Sequence, residues 1–285
     1  MRKNRCKTAV ALGFFDGVHL GHAAVINAIS ESEFPVVFTF KSGGKNTFKE
    51  NNISTEIAKR ELLTKLGVKR VCAYDFEAVK DLSADEFVTQ ILVGELDTNL
   101  VCCGYDFRFG KGAKSDANDL KKICGEKNIG VVVVPAVEVD GAAVSSTRIR
   151  NLIQKGDLKL ANKLLGYELF YDLKVVGGNM QGRTIGFPTI NQNMPRNCAM
   201  PRFGVYESKV FIGEKTYRGI TNIGVKPTAG NYKKPTAETH ILNFTGDLYG
   251  QKIRICLINF IRDEKKFNSF LELKMQIEKD LKLCK

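Results

Sequence analysis

The chain has 285 residues, 44% of them hydrophobic and 26% charged, a length and composition that fit two globular domains and exclude a disordered or fibrous chain. No apolar run approaches the roughly 18–20 residues of a membrane span, the opening MRKNRCKTAV lacks a signal-peptide core, and eight cysteines without a CxxC pair read as small buried apolar groups, so a cytoplasmic protein without disulfide, zinc site or membrane partner is expected. The net charge of +12 favours anionic ligands, but no dense basic block interleaves with aromatics, so phosphorylated small molecules are expected ahead of nucleic acid.

Strand-like runs at Thr8–Phe14, Pro35–Phe40, Val68–Phe76, Asn99–Phe107 and Gly130–Val139 alternate with helical patterns at 20–31, 54–66, 83–93 and 115–127. Apolar strands separated by amphipathic helices predict a parallel, doubly wound sheet, with ligands beyond the carboxyl ends of the strands. Helices over 146–154 and 157–165, separated by Gly156 and ended by Gly166, close a first domain of residues 1–166. From Tyr167 onward the texture changes to short runs broken by Gly, Pro and Asn: Leu169–Val176, Tyr206–Ile212, Tyr217–Ile223, Glu238–Phe244 and Lys252–Phe260. Such runs predict an antiparallel barrel or sandwich over 167–285, followed by an amphipathic helix at Asn268–Leu283.

The first motif is GFFDGVHLGH, Gly13 to His22, which holds two of the chain's three histidines. It lies between a predicted strand and a predicted helix, a βα unit suited to phosphate. His19 and His22, three apart, share a helix face near the positive end of the dipole and can donate to charge building on a phosphate under attack. Asp16, Gly17 and Gly21 complete the string. A capped helix with two solvated histidines is the plain alternative. VSSTRIR, Val144 to Arg150, opens the helix after the last parallel strand. One of Ser145, Ser146 and Thr147 could be a helix cap, but three hydroxyls followed by Arg148 suit a triphosphate. In GYDFRFG, Gly104 to Gly110, Asp106 could orient a sugar or ribityl hydroxyl while Phe107 or Phe109 packs on a ring. A glycine-bracketed loop with core phenylalanines explains that string equally well.

In the second domain, GGNMQGRTIGFPTIN, Gly177 to Asn191, is a glycine-rich loop running into Pro188, Thr189 and Asn191. Glycines let amides approach phosphates, and Thr189 and Asn191, two apart on an extended chain, can offer hard oxygens to Mg²⁺. A simple turn at TIN remains open. ETHILNF, Glu238 to Phe244, puts a carboxylate at the start of a strand, either a general base for an alcohol or a solvated side chain, with His240 on the same face.

Together GFFDGVHLGH, the TF after a strand, GYDFRFG and VSSTRIR resemble the FMN adenylyltransferase module of the bifunctional riboflavin kinase/FAD synthetase family, within the nucleotidyltransferase superfamily. Gly182–Arg183, GFPTIN, GVY, NIGVKPT, ETHILNF, LYG and FIRDEKKF resemble its riboflavin kinase domain, in the family's order. The resemblance implies a Rossmann-like nucleotidyltransferase domain with a parallel sheet, then an antiparallel β-barrel kinase domain with a C-terminal helix. It implies that riboflavin and ATP give FMN, and that FMN and ATP give FAD and pyrophosphate, with Mg²⁺ as cofactor. His19, His22 and Arg148 would act on the adenylyl transfer, with ATP at Gly13, Phe14, Asp16, Gly17, Gly21, Ser145, Ser146 and Thr147 and FMN at Gly104, Asp106 and Phe107. In the kinase Glu238 would be the base and Thr189 and Asn191 would help bind Mg·ATP. Gly178, Gly182, Arg183, Pro188, Tyr206, Asn222, Lys226, Thr228 and Arg262 would surround ATP and flavin.

The chain departs from the family at TFKSGGKNTF, which has neither the proline nor the histidine of the usual Pro-His-Pro, at Ala113 and Ser115, where arginine and glycine are usual, and at Lys226, where arginine is common. A kinase with a lapsed adenylyltransferase is therefore the second reading, and a basic flavin sensor that binds nucleic acid a third. A homo-oligomer stays open.

Overall fold

The computed structural model describes residues 7–32, 34–41, 51–178, 182, 186–226 and 234–284, with Lys226 described by its backbone alone. The contacts divide the chain into two compact units, Met1–Ser146 and Thr147–Lys285.

Among the described residues the first unit is built on a five-stranded parallel sheet in the order β3-β2-β1-β4-β5. The strands are β1 (Thr8–Leu12), β2 (Pro35–Phe40), β3 (Arg70–Tyr74), β4 (Thr98–Gly104) and β5 (Gly130–Val134). The doubly wound expectation holds because β1 is buried along its whole length and apolar from Ala9 to Leu12, flanked by β2 and β4 in parallel register. The strand order reverses at β1, between β2 and β4, and this switch point is where such sheets open a ligand crevice.

Helices α1 (Leu20–Ser30), α2 (Glu56–Lys65), α3 (Phe76–Val79), α4 (Ala84–Glu86) and α5 (Ala117–Gly125) lie between the strands. The expected helix at 83–93 is two pieces, since α4 runs into a wider helix over Phe87–Glu95 that closes with an i→i+5 bond from Leu96 N to Ile91 O. The run expected at Gly130–Val139 likewise splits, ending as β5 and leaving a hairpin of β6 (Glu138–Val139) and β7 (Ala142–Ala143). Cys102 and Cys103 are buried small groups of β4, as expected. Burial pushes the Cys102 thiol up to about 12 and the Cys103 thiol up to about 11.

The second unit is a closed barrel in the order β10-β11-β12-β9-β8-β13. Its strands are β8 (Leu169–Val176), β9 (Thr189–Asn193), β10 (Gly204–Ile212), β11 (Lys215–Lys226), β12 (Lys234–Ile241) and β13 (Lys252–Arg262). Closure removes the exposed edges that a sandwich would leave, which settles the barrel-or-sandwich alternative. Period-2 alternation sends Ala237, Thr239 and Ile241 inward, and Val175, Val210, Ile241 and Ile253 form one apolar cluster. The inner wall also carries a hydroxyl chain, with Thr221 Oγ1 donating to Ser208 Oγ at 2.8 Å and lying 2.9 Å from Thr239 Oγ1.

Helices α6 (Ser146–Lys155) and α7 (Leu158–Leu165) precede the barrel and pack on it. Ile153 O accepts from Arg202 N, Asn162 Nδ2 donates to Leu257 O, and a Cβ at Gly156 would sit 3.3 Å from Phe260. The contact division therefore falls ahead of these helices, whereas the change in sequence texture falls after them. The C-terminal helix α8 (Phe270–Leu283) covers part of the outer barrel wall, where Leu281 and Cys284 meet Val205, Ile220 and Ile261.

Candidate active sites

In the first unit the string after β1 folds as a tight turn of unusual backbone. Phe15, Gly17 and Val18 all have positive φ, at 53°, 76° and 38°. For an aromatic and a β-branched residue this is strained geometry, of the kind that collects at binding sites. Gly17 cannot be replaced without cost, because a Cβ there would lie 2.9 Å from Ile53. Gly17→Ala is expected to destabilise the first unit by about 1–3 kcal/mol. Thermal unfolding of the full chain checks this, and an unchanged first transition would refute it.

Asp16 is turned inward and buried. Its Oδ1 accepts from Ile53 N at 2.8 Å, and its carbonyl accepts from Ser146 Oγ at 3.0 Å. Val144 O also lies 3.7 Å from where a Gly21 Cβ would be. Two strings about 130 residues apart in the chain, GFFDGVHLGH and the start of VSSTRIR, thus meet at one place. Both reach it at or near a helix N-terminus, where unpaired amides favour an anion.

His19 caps α1. Its Nδ1 accepts from His22 N at 3.3 Å, and the residue is 5% exposed. An Nδ1 that accepts carries no proton, so the neutral ring presents Nε2–H as a donor. The two imidazoles stack, with centroids 3.6 Å apart at 16°, and Phe15 meets His22 edge-on at 5.3 Å. The stack and the cap hold both rings in fixed orientation, which a solvated pair would not need. Thr147 Oγ1 takes a 3.5 Å contact from Arg150, and Arg148 follows it on α6.

Sequence reasoning missed Lys59. It is 3% exposed, its Nζ donates to Thr39 Oγ1 at 2.9 Å and lies 5.0 Å over the Phe14 ring, and Thr39 Oγ1 donates to Phe14 O. Burial lowers its pKa, opposed by Glu56 and Asp16. Lying on the polar-patterned α2, it gave no signal in one dimension. Its partner Thr39 belongs to the TF string; the TFKSGGKNTF residues beyond Lys41 lie outside the described residues.

After β4 the backbone turns sharply, with Phe107 N donating to Gly104 O at 3.1 Å. Asp106 and Phe107 are therefore beyond the strand rather than in its last positions, a correction to the run expected at Asn99–Phe107. Asp106 is exposed, and Oδ1 sits 3.1 Å from a would-be Gly104 Cβ. Phe109 is core, while Phe107 is half-buried and stacks on it at 5.7 Å. Ala113, at φ 53°, lies in a short turn, and Ser115 pairs with Phe109.

In the second unit PTIN is not a turn. Thr189–Asn193 is β9, paired with β12 so that Asn191 stands directly across from Glu238 and Thr189 across from His240. Directly opposed Cβ atoms on such strands are about 4.5–5.5 Å apart. Glu238 sits in the middle of β12, not at its opening as expected from the sequence, because the strand begins at Lys234. His240 fixes the neighbouring strand: Nδ1 lies 2.8 Å from Pro188 O, which can only accept, so Nδ1 carries the proton. Its ring meets Phe187 edge-on at 5.2 Å.

Two glycines fold onto β9. A Cβ at Gly178 would lie 2.3 Å from Asn191 Nδ2, and one at Gly182 2.2 Å from Phe187 O. Both positions demand glycine for close approach. Gly178→Ala must push aside the 6%-exposed Asn191, and should destabilise the second unit by about 1–3 kcal/mol. Thermal unfolding of the full chain checks this, and unchanged melting of that unit would refute it.

Other expected residues are placed as follows. Asn222 stands across β11–β12 from Glu238, and its Nδ2 lies 3.4 Å from Glu264 Oε1. Tyr206 is a core side chain, fully buried, with its hydroxyl donating to Arg202 O and its ring on Phe260. Arg262 is engaged by the 1%-exposed Asp280, with Nη2 to Oδ2 at 2.7 Å, which ties α8 to the end of β13. Arg183, Thr228 and the Lys226 side chain lie outside the described residues.

No group of three or more His, Cys, Asp or Glu among the described residues is placed to hold a metal. No helix there is long and apolar enough to cross a membrane.

A riboflavin kinase family model matches residues 165–285 and an FAD synthetase model matches residues 1–148. The bifunctional riboflavin kinase/FMN adenylyltransferase of Bacillus subtilis is 34% identical over 295 residues, covering 98% of this chain and 92% of its own. The Escherichia coli K12 protein of the same name is 34% identical over 282 residues, covering 95% and 90%. Among solved structures, one named as a macrolide-efflux protein from Streptococcus pneumoniae matches with TM-score 0.87 and 29% identity, covering 99% of this chain and 95% of that one. Full-length similarity with both parts in order places the two constellations in one lineage, and the chain belongs to the bifunctional riboflavin kinase/FMN adenylyltransferase family.

Proposed function

We propose that this chain makes FMN from riboflavin and ATP in residues 167–285, and FAD from FMN and ATP in residues 1–166. The observation that supports this reading is that each unit brings its expected residues together, Asn191 opposite Glu238 in one and Ser146 bonded to the GFFDGVHLGH turn in the other. The start of the kinase match at residue 165 supports the division at Gly166/Tyr167.

In the kinase reaction Glu238 takes the proton of the riboflavin 5′-hydroxyl as that oxygen attacks the γ-phosphorus of ATP, and ADP leaves. Thr189 and Asn191 would supply hard oxygens to Mg²⁺, which would neutralise charge on the transferring group. With no acidic cluster among the described residues, the ion would come with ATP. Gly178 and Gly182, closed onto β9, bring backbone to the nucleotide.

In the adenylyl transfer an FMN phosphate oxygen attacks the α-phosphorus of ATP and pyrophosphate leaves, with no covalent enzyme intermediate. His19, through Nε2–H, and His22 donate to the pentavalent phosphorus centre, while Ser146, Thr147 and Arg148 hold the departing phosphates. Asp16 acts indirectly, by fixing the turn from beneath. Both reactions draw on cytoplasmic ATP.

Purified chain incubated with FMN, ATP and Mg²⁺ should yield FAD on chromatography, and with riboflavin should yield FMN and then FAD. If riboflavin is phosphorylated but FMN is never converted, the adenylyltransferase assignment falls.

A further inference from the structure

We propose that the Thr236 hydroxyl is a substrate-binding group of the kinase site, hydrogen-bonding a ribityl hydroxyl of riboflavin as the 5′-hydroxyl meets Glu238. The proposal rests on the kinase assignment of Glu238 and adds a residue to it.

Thr236 is 9% exposed, and its Oγ1 is buried with no hydrogen-bond partner among the described residues. A buried hydroxyl left in this state costs stability, so it calls for a reason. Other hydroxyls of the barrel do not share the defect, since Ser208, Thr221 and Thr239 satisfy one another on the inner wall. On β12 the side chains alternate, and Thr236 shares the outer face with Glu238 and His240. Two residues of strand separate it from Glu238 by about 6.6 Å, a gap that the carbon chain of a polyol can bridge.

Position along β12 selects the flavin rather than the nucleotide. His240 stands across from Thr189 and holds Pro188, while Gly178 closes over Asn191, so the phosphate-handling side runs from Glu238 toward His240. Thr236 lies on the opposite side of Glu238. The 5′-oxygen must meet the γ-phosphorus directly with Glu238 beside it, so the rest of the ribityl chain leads away from the phosphates, toward Thr236. Its neighbour across β11 is Gly224, whose missing side chain keeps that side open to Glu264, which reaches within 2.0 Å of a would-be Cβ. Glu264 lies 3.4 Å from Asn222 Nδ2, and His240 is engaged with Pro188 O. Neither satisfies Thr236.

The test compares Thr236→Val, Thr236→Ser and Glu238→Gln in the full-length chain. Valine keeps the shape and removes the hydroxyl. It should raise the riboflavin KM about tenfold, the worth of one hydrogen bond to substrate. The ATP KM and FMN adenylylation should stay at wild-type values. Because the hydroxyl has no partner without substrate, the valine variant should melt at the wild-type temperature or above it. Serine should restore the riboflavin KM. An unchanged riboflavin KM in the valine variant overturns the proposal. So does a raised ATP KM in its place, or a lowered melting temperature with the riboflavin KM unmoved. If Glu238→Gln keeps full kinase activity, the kinase site itself is misassigned. If that variant is crippled while Thr236→Val is unaffected, only the Thr236 inference fails.

Discussion

Glu238→Gln should lower riboflavin phosphorylation by roughly 10²–10⁴-fold, the usual worth of a general base, and leave FMN adenylylation at its wild-type rate. The substitution is nearly isosteric, and Glu238 lies within β12 with Asn191 on one side and Asn222 on the other. A glutamine there can keep the strand register while losing the acceptor that takes the alcohol proton. The loss should fall on kcat more than on either KM, since proton removal belongs to the transition state. Other residues near the base have structural duties that explain their presence: His240 holds Pro188, and Arg262 holds Asp280. That leaves no second imidazole in the described part of the barrel to take over the proton. Steady-state kinetics with riboflavin and with FMN on one preparation makes the comparison internal. A variant that phosphorylates riboflavin normally would move the base elsewhere.

What could be read in one dimension follows the range of the forces involved. The parallel sheet was legible because β1, β2 and β4 carry apolar runs, from Ala9 to Leu12, Pro35 to Phe38 and Leu100 to Cys103, most of whose residues are buried. The Gly17 turn was legible because only a few residue types tolerate its backbone. The resemblance implies binding roles for Tyr206 and Arg262 but not their packing: one ring lies in the core, and the other side chain is engaged by Asp280 on α8, a partner 18 residues away. Pairwise commitments of that kind leave no trace in local pattern. Lys59 and Thr236 were invisible for the same reason. A lysine on a helix and a threonine in a strand are ordinary until the fold shows one buried against Thr39 and the other buried without a partner. The five residues of β9 carry too little periodicity to separate turn from extended chain, and the strand is fixed by pairing with β12 and β8.

The opposite separation is expected in the first unit. His19→Ala with His22→Ala should reduce FAD formation from FMN by at least about 10²–10³-fold, the cost of losing one oriented donor to transition-state charge, while riboflavin phosphorylation continues. Alanine at 19 also removes the cap of α1, because His19 Nδ1 accepts from His22 N. A loss from that variant alone could reflect a frayed helix. His19→Asn separates the two effects, since asparagine is among the best N-caps but is too short to present a donor where the imidazole Nε2–H does. Helix and melting temperature should survive in His19→Asn, and adenylylation should still fall. If the asparagine variant made FAD at the wild-type rate, His19 would be a cap and no more. The chemistry would then rest on His22, whose ring the 3.6 Å stack against His19 currently holds in place. A fall in kcat with FMN and ATP KM values unchanged would instead put both rings on the transition state. Fixed geometry on a strained turn, rather than a general excess of positive charge, would then be what the first unit contributes to the transfer.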